Sequence, residues 1–211
     1  MWPGGHDDKV VIFLDSKASV YDNIIEAALI EFGTKGYLVA STNVIAKNAS
    51  VSKGLIFKYF SSKANLFYIV FERELNFFLE QYREFKTQLK NDIFEQIIDI
   101  VIWKGQYAKR YPNSSNVLLE GIANPPLEIK EQLLGKLITL KEISISDLIS
   151  GIAFDKTNPE ISKETVARVI NIAVAGLQAT YIDKNTNFEV LESIRSESLE
   201  YLKILIRGME K

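Results

Sequence analysis

Between Ile93 and Trp103 apolar residues recur at helical spacing on nearly every side, broken only by Glu95, Gln96 and Asp99. Ile93, Ile97 and Val101 form one row, Phe94, Ile98 and Ile102 the next, and Ile100 and Trp103 carry the apolar surface nearly all the way round. A helix of this kind is stable only where neighbours cover it on every side, so the segment belongs in the middle of a helical bundle. The other strong periodicities are also of the three- and four-residue kind, and no segment shows the alternation of a half-buried strand. The expected fold class is all-α, with about nine helices.

The first helix is expected over residues 19–35, where Ile24, Ile25, Ala28, Leu29 and Phe32 share one face and Gly33 and Gly36 supply a stop. A second runs from Ser41 or Thr42, either of which suits the N-cap, to about Ala49. Ser50-Val51-Ser52 makes a turn, and a third helix covers residues 53–59 with Ile56 and Phe60 turned toward Ile45, Ala46 and Val51. Small Ala46 and Ala49 allow the two helices to cross closely. Ser61-Ser62 caps a longer fourth helix carrying Leu66, Phe67, Val70, Phe71, Leu75 and Phe78. Beyond the Ile93–Trp103 run, Asn113-Ser114-Ser115-Asn116, Asn124-Pro125-Pro126, Asn158-Pro159 and residues 183–187 read as breaks. They leave a short helix near residues 117–122, a long one over 127–152, and a final pair over 159–182 and 188–207. The expected division is an irregular arm (1–18), a small helical head (19–64) and a helical body (65–211).

Charge singles out the head. The chain carries 25 basic and 27 acidic residues, a net charge of −2. Yet from Phe32 to Phe71 there are five lysines (Lys35, Lys47, Lys53, Lys58, Lys63) and no Asp or Glu. A slightly acidic chain holds a polyanion only through such a local excess, and two short helices around a tight turn are a geometry that enters a DNA groove. Taken one at a time these lysines fit an ordinary solvated face; together with the carboxylate gap and the helix register they point to nucleic acid.

The same stretch resembles the DNA-binding domain of the tetracycline-repressor (TetR) family. The residues that carry the likeness are Ala28, Phe32, Gly36-Tyr37, Ser41-Thr42, Ile45-Ala46, Val51-Ser52-Lys53-Gly54, Tyr59-Phe60, Ser62-Lys63 and Leu66. The resemblance implies that Ser41 and Thr42 meet phosphates at the start of the second helix, with Asn43 beside them. It places Ser52, Lys53, Gly54 and Leu55 at the front of a recognition helix, Phe57, Lys58 and Tyr59 along its sides, and Lys63 on a phosphate at the start of the fourth helix. Ser50 stands where the family has glycine, Phe57 where a tyrosine is common, and Leu55 where a small or polar residue is frequent. Tyr37 and Phe60 read as packing residues. By the same resemblance the chain is a ligand-responsive repressor that binds a palindromic operator as a homodimer.

The body is less explicit. Ala173, Ala175, Gly176 and Ala179 on the penultimate helix, with Leu191, Ile194, Leu202, Leu205 and Ile206 on the last, suit a four-helix dimer interface or the closure of the monomer's own core. Phe71, Phe78, Trp103, Tyr107 and Tyr181 are the candidates for a pocket that takes a hydrophobic or amphipathic small molecule, against the alternative that they are core aromatics. The rival functions are an all-helical enzyme and a small-molecule binder without DNA. Carboxylates such as Glu72, Glu74, Glu80 and Asp99 fall in no catalytic motif, and there is no cysteine and a single histidine, His6. The expectation is therefore no enzymatic activity, no metal and no cofactor. Absence of cysteine and of any 20-residue apolar run suits a cytoplasmic protein that does not enter the membrane.

Overall fold

The computed structural model describes residues 19–89, 92–139, 158, 160–181 and 188–209. The expected arm lies outside them. Nine α-helices and one 3-10 turn make up the described secondary structure, with no strand among the described residues. Helix α1 (Val20–Val39) opens with a reciprocal cap, in which Ser19 Oγ accepts from the Asp22 amide at 3.1 Å and an Asp22 carboxylate oxygen accepts from the Ser19 amide at 3.2 Å. The break expected at two glycines is made by one. Gly36 takes φ +74°, which ends the regular helix, whereas Gly33 stays helical and buried. A Cβ at Gly33 would lie 2.6 Å from the Asn113 Cα, so this glycine serves close helix approach instead.

Helices α2 (Thr42–Asn48) and α3 (Lys53–Phe60) follow, and α4 (Lys63–Lys86) runs from the head into the body. Ile24, Ile25, Phe32, Ile45, Ile56, Phe60, Leu66 and Phe67 are fully enclosed and form the head's core. It is continuous with Phe71, Leu75, Leu79, Ile100, Val117 and Leu133 in the body. Phe60 is the core residue expected; Tyr37 is half-buried against this core.

Helix α5 (Ile93–Arg110) is central, as its sequence requires. Ile100 belongs to the core shared with the head, while Ile97, Ile98 and Val101 belong to a second core with Val166, Ile170, Val174, Leu202 and Met209. Helix α6 (Pro112–Ala123) corrects the reading of Asn113-Ser114-Ser115-Asn116 as a break. Pro112 sits in the first turn, where its missing N–H costs no hydrogen bond, and the polar run that follows is helical. Its side chains reach other elements: Ser114 pairs with the Tyr107 hydroxyl at 2.8 Å, and Asn116 Nδ2 donates to the Gly33 carbonyl at 2.8 Å. The break lies two residues earlier, at Tyr111.

The expected long helix starts as a 3-10 turn (Leu127–Ile129) and continues as α7 (Lys130–Thr139); residues 140–152 lie outside the description. Helix α8 (Lys163–Tyr181) begins later than expected, after Ser162, whose hydroxyl accepts from the Thr165 amide at 3.2 Å. Helix α9 (Phe188–Arg207) packs against α5 and ties to it through Arg195, which reaches Asp99 at 3.0 Å and Glu95 at 3.3 Å. None of the described helices is long and apolar enough to cross a membrane.

At Gly121 α6 crosses close against α4, because a Cβ there would lie 2.4 Å from the ring of Phe71. Phe71 is fully buried and cannot swing aside. Gly121→Ala should therefore destabilise the fold by about 1–3 kcal/mol, read by denaturant unfolding, although alanine is the better helix former at an exposed site.

Candidate nucleic-acid interface

The turn between α2 and α3 closes through backbone bonds, with the Val51 amide on the Ala46 carbonyl at 2.9 Å and the Ser50 amide on the Lys47 carbonyl at 3.1 Å. Closing it this tightly puts Ser50 at φ +57°, the left-handed region where a serine replaces the family's glycine. Ser52 then caps α3, its hydroxyl accepting from the Leu55 amide at 3.2 Å. Ile56 and Phe60 turn inward and fix the rotation of α3, which leaves the opposite side open.

That open side holds most of the residues expected there. Asn43, Ser52, Lys53, Gly54, Phe57, Lys58 and Tyr59 are exposed, while Ser41, Thr42 and Leu55 are half-buried. Tyr59 keeps 49% of its surface in solvent and meets Tyr21 of α1 edge to face, with ring centres 6.1 Å apart. Lys53 Nζ stands 5.9 Å from the centre of the Phe57 ring. A Cβ on Gly54 would have only Ser52 Oγ within reach, at 4.0 Å, so the chain's own packing makes no demand for glycine there.

Two placements differ from expectation. Ser41 occupies the N-cap of α2, but its hydroxyl makes no cap bond; its backbone amide donates to Glu31 Oε1 at 3.0 Å. Glu31 is buried and so is held by a bond it needs. Lys63 is half-buried and turned toward the chain itself. Its Nζ donates to the Leu38 carbonyl at 3.3 Å and lies 4.7 Å from the centre of the Tyr37 ring. Burial lowers its pKa below the ordinary lysine value, and the carboxylates of Glu120, Glu31 and Glu128 oppose that shift.

In the body, Phe78, Trp103 and Tyr107 come together, with centroids 5.3 Å (Phe78 to Trp103), 4.8 Å (Phe78 to Tyr107) and 5.7 Å (Trp103 to Tyr107) apart. Phe71 is fully buried in the core, and the Tyr181 side chain lies outside the described residues. The network extends to Phe77, Tyr82, Phe85 and Tyr111, which the sequence reading did not name. Their signal was present as two facing stripes, 78-82-85 on α4 and 103-107-111 on α5. Burial pushes the Tyr107 hydroxyl up to about 12. Lys104, beside Trp103, was also missed; burial alone lowers its pKa, with no described carboxylate acting on it. Three of the four carboxylates weighed as acid–base groups are engaged in ion pairs, Glu74 with Arg73 at 3.1 Å, Asp99 with Arg195, and Glu72 with Lys136. Among the described residues no cluster of His, Cys, Asp or Glu could hold a metal ion.

Residues 24–68 match the family model for bacterial regulatory proteins of the tetR family. The transposon Tn10 TetC protein of Escherichia coli is 31% identical over 90 residues, a match that covers 40% of this chain and 45% of that protein. The chain thus matches under half the length of that relative. Among solved structures, a TetR-like transcriptional regulator from Rhodococcus sp. RHA1 is 17% identical, with 89% of this chain and 98% of that one covered and a TM-score of 0.61. The regulator FadR from Bacillus subtilis, solved in complex with stearoyl-CoA, is 19% identical over 86% of this chain and 97% of its own, at 0.62. A TetR family transcriptional regulator from Chloroflexus aurantiacus J-10-FL is 20% identical over 93% and 96%, also at 0.62.

The left-handed serine gives a direct test of the turn. Ser50→Gly should stabilise the protein by about 0.5–1 kcal/mol, since relief of the left-handed strain exceeds the added chain entropy of glycine. Thermal unfolding of the two proteins under one buffer checks it.

Proposed function

We propose that this chain, which carries the tetR-family N-terminal domain and has the fold of a TetR-family transcription regulator, is a ligand-responsive repressor that binds a palindromic DNA operator as a homodimer in the cytoplasm. The observation that carries the reading is the open side of α3. Lys53, Phe57, Lys58 and Tyr59 are exposed together, in a stretch without a single carboxylate, while Ile56 and Phe60 lock the opposite side of that helix into the core. Lysines and hydroxyls there fix register on the phosphates; Gly54 and Leu55 at the front of α3 approach base edges, Leu55 against an apolar feature such as a thymine methyl. Ser41, Thr42 and Asn43 hold the neighbouring backbone from the start of α2.

Dimerisation through α8 and α9 is supported by their outward faces. Ile172 is 66% exposed and Ile204 is 58% exposed, with Ala175, Gly176 and Tyr201 also on the surface. Leu202 and Leu205, expected at such an interface, pack instead in the monomer's second core, and Ala173 also packs against it. The side chains of Ala179, Leu191, Ile194 and Ile206 lie outside the described residues. A twofold pair joined this way would present its α3 helices to successive major grooves about 34 Å apart.

The effector reading rests on the aromatic network between α4 and α5. Its rings suit an apolar body, and Lys104 offers a charge to an acidic group on the same molecule. The stearoyl-CoA held by the Bacillus subtilis regulator is a compound of that amphipathic kind. Because α4 is unbroken from the head to Phe77, Phe78, Tyr82 and Phe85, an occupant among these rings would move the head through it, with a coupling of about 1–3 kcal/mol.

Selection of bound fragments from the source genome tests the reading as a whole, and recovery of an inverted repeat is the expected outcome. On the recovered site Lys53→Ala and Lys58→Ala should each weaken binding and lower the slope of log K against log salt by about 1; unaltered slopes would remove these lysines from the phosphate contacts. Titration with a panel of acyl-CoA thioesters should release the DNA, and the distance between spin labels on the two heads should differ between free and ligand-bound dimers. Equal distances would sink the α4 mechanism.

A further inference from the structure

The connection between α1 and α2 is held from three sides. The Tyr37 amide donates to both carboxylate oxygens of Glu120 on α6, at 2.8 and 2.7 Å. The Ser41 amide donates to Glu31 on α1, and the Leu38 carbonyl accepts from Lys63 at the start of α4. The ring of Tyr37 stacks on Phe32 at 6.2 Å and meets the edge of Phe67 at 5.3 Å, which turns its other face to the Lys63 ammonium. Every element that joins the head to the body thus contributes a group to this one short segment.

We propose that Lys63 is a positioning residue of this joint and does not contact a phosphate, its charge being taken up by the carboxylates of Glu120 and Glu31 and by the Tyr37 ring. The proposal rests on reading α2 and α3 as the DNA-binding face. Lys63 is the first residue of α4, where the positive end of the helix disfavours a cation and the first turn holds no acidic residue to offset it. The compensating charges come from across the joint. An ammonium drawn out to a phosphate would leave the Leu38 carbonyl and the carboxylates around Tyr37 without their cation. Glu120 fixes the same segment through two charge-assisted bonds, which a lysine anchored on DNA could not replace. In this chain the phosphate contacts of the head are then left to Lys53, Lys58 and the hydroxyls of α2.

Amide hydrogen exchange of the free, full-length protein and salt-dependent binding to a mixed-sequence duplex test this together. In Lys63→Met the Tyr37 and Ser41 amides should exchange at least about tenfold faster than in the parent, and Lys63→Arg should restore most of their protection. Glu120→Gln should expose the Tyr37 amide in the same way, and the double variant should lose little more than either single one. The slope of log K against log salt should be the same for Lys63→Met and the parent, while Lys58→Ala lowers it by about 1. Unchanged exchange at Tyr37 and Ser41 overturns the joint role, and a slope lowered by about 1 in Lys63→Met overturns the exclusion from phosphate. A parent protein with no salt-sensitive affinity for any duplex would instead sink the DNA-binding reading, and exchange would still decide the joint.

Discussion

The close approach of α6 to both α1 and α4 is the constraint on which the rest of the structure depends. It is possible because two glycines stand at the crossings: Gly33 against the backbone of Asn113, and Gly121 against the ring of Phe71. With those gaps closed, Asn116 reaches the Gly33 carbonyl and Glu120 reaches the Tyr37 amide, so the head is fastened to the body by buried packing and by polar bonds at once. Arg73 adds a tie within the same block, bridging Glu26 of α1 at 2.7 Å and Glu74 on its own helix. A head of one long and two short helices has a small core of its own, and here that core is extended directly into the body through Phe67, Val70 and Phe71.

The parts that were legible in the sequence are those whose cause is local. The all-helical class follows from period, α5 is central because its first three turns are apolar nearly all round, and the α2 to α3 unit follows from caps, small residues and the Ser50-Val51-Ser52 turn. The start of α6 was missed because Asn113-Ser114-Ser115-Asn116 is a poor helix former by itself. Its polar groups are satisfied by Tyr107 and Gly33, partners that only the tertiary structure brings near. Glu120 and Tyr37 stand in the same case, being 83 residues apart in the chain. The aromatic network was half legible: each stripe shows in its own helix, but that they face one another does not.

Charge is distributed by function of place rather than by segment. The carboxylate-free stretch from Phe32 to Phe71 is not a uniformly positive surface, since Lys63 is drawn inward to Tyr37 and Leu38 and lies in the field of Glu31, Glu120 and Glu128. Lys53 and Lys58 face solvent on α3. A count of lysines along the sequence therefore overstates the charge that the head turns outward, and on the proposed reading fewer cations than the motif contains would release counterions on binding.

The same geometry bears on how a change in the body could reach the head. α4 alone would act as a lever only if the head turned freely about its first residues. The segment from Gly36 to Ser41 is gripped by α1, α4 and α6 together, so a displacement of α4 past α6 strains the bonds at Tyr37 before it moves α3. A packed joint of this kind would pass a small shift on to the head, because the Tyr37 amide is held by both carboxylate oxygens of Glu120. Occupancy of the aromatic network, which touches α4 through Phe78 and α6 through Tyr107 and Ser114, would load the two helices unequally. On the proposed effector reading, the relative motion of α4 and α6, more than the absolute motion of either, would be the coordinate that sets the orientation of α3.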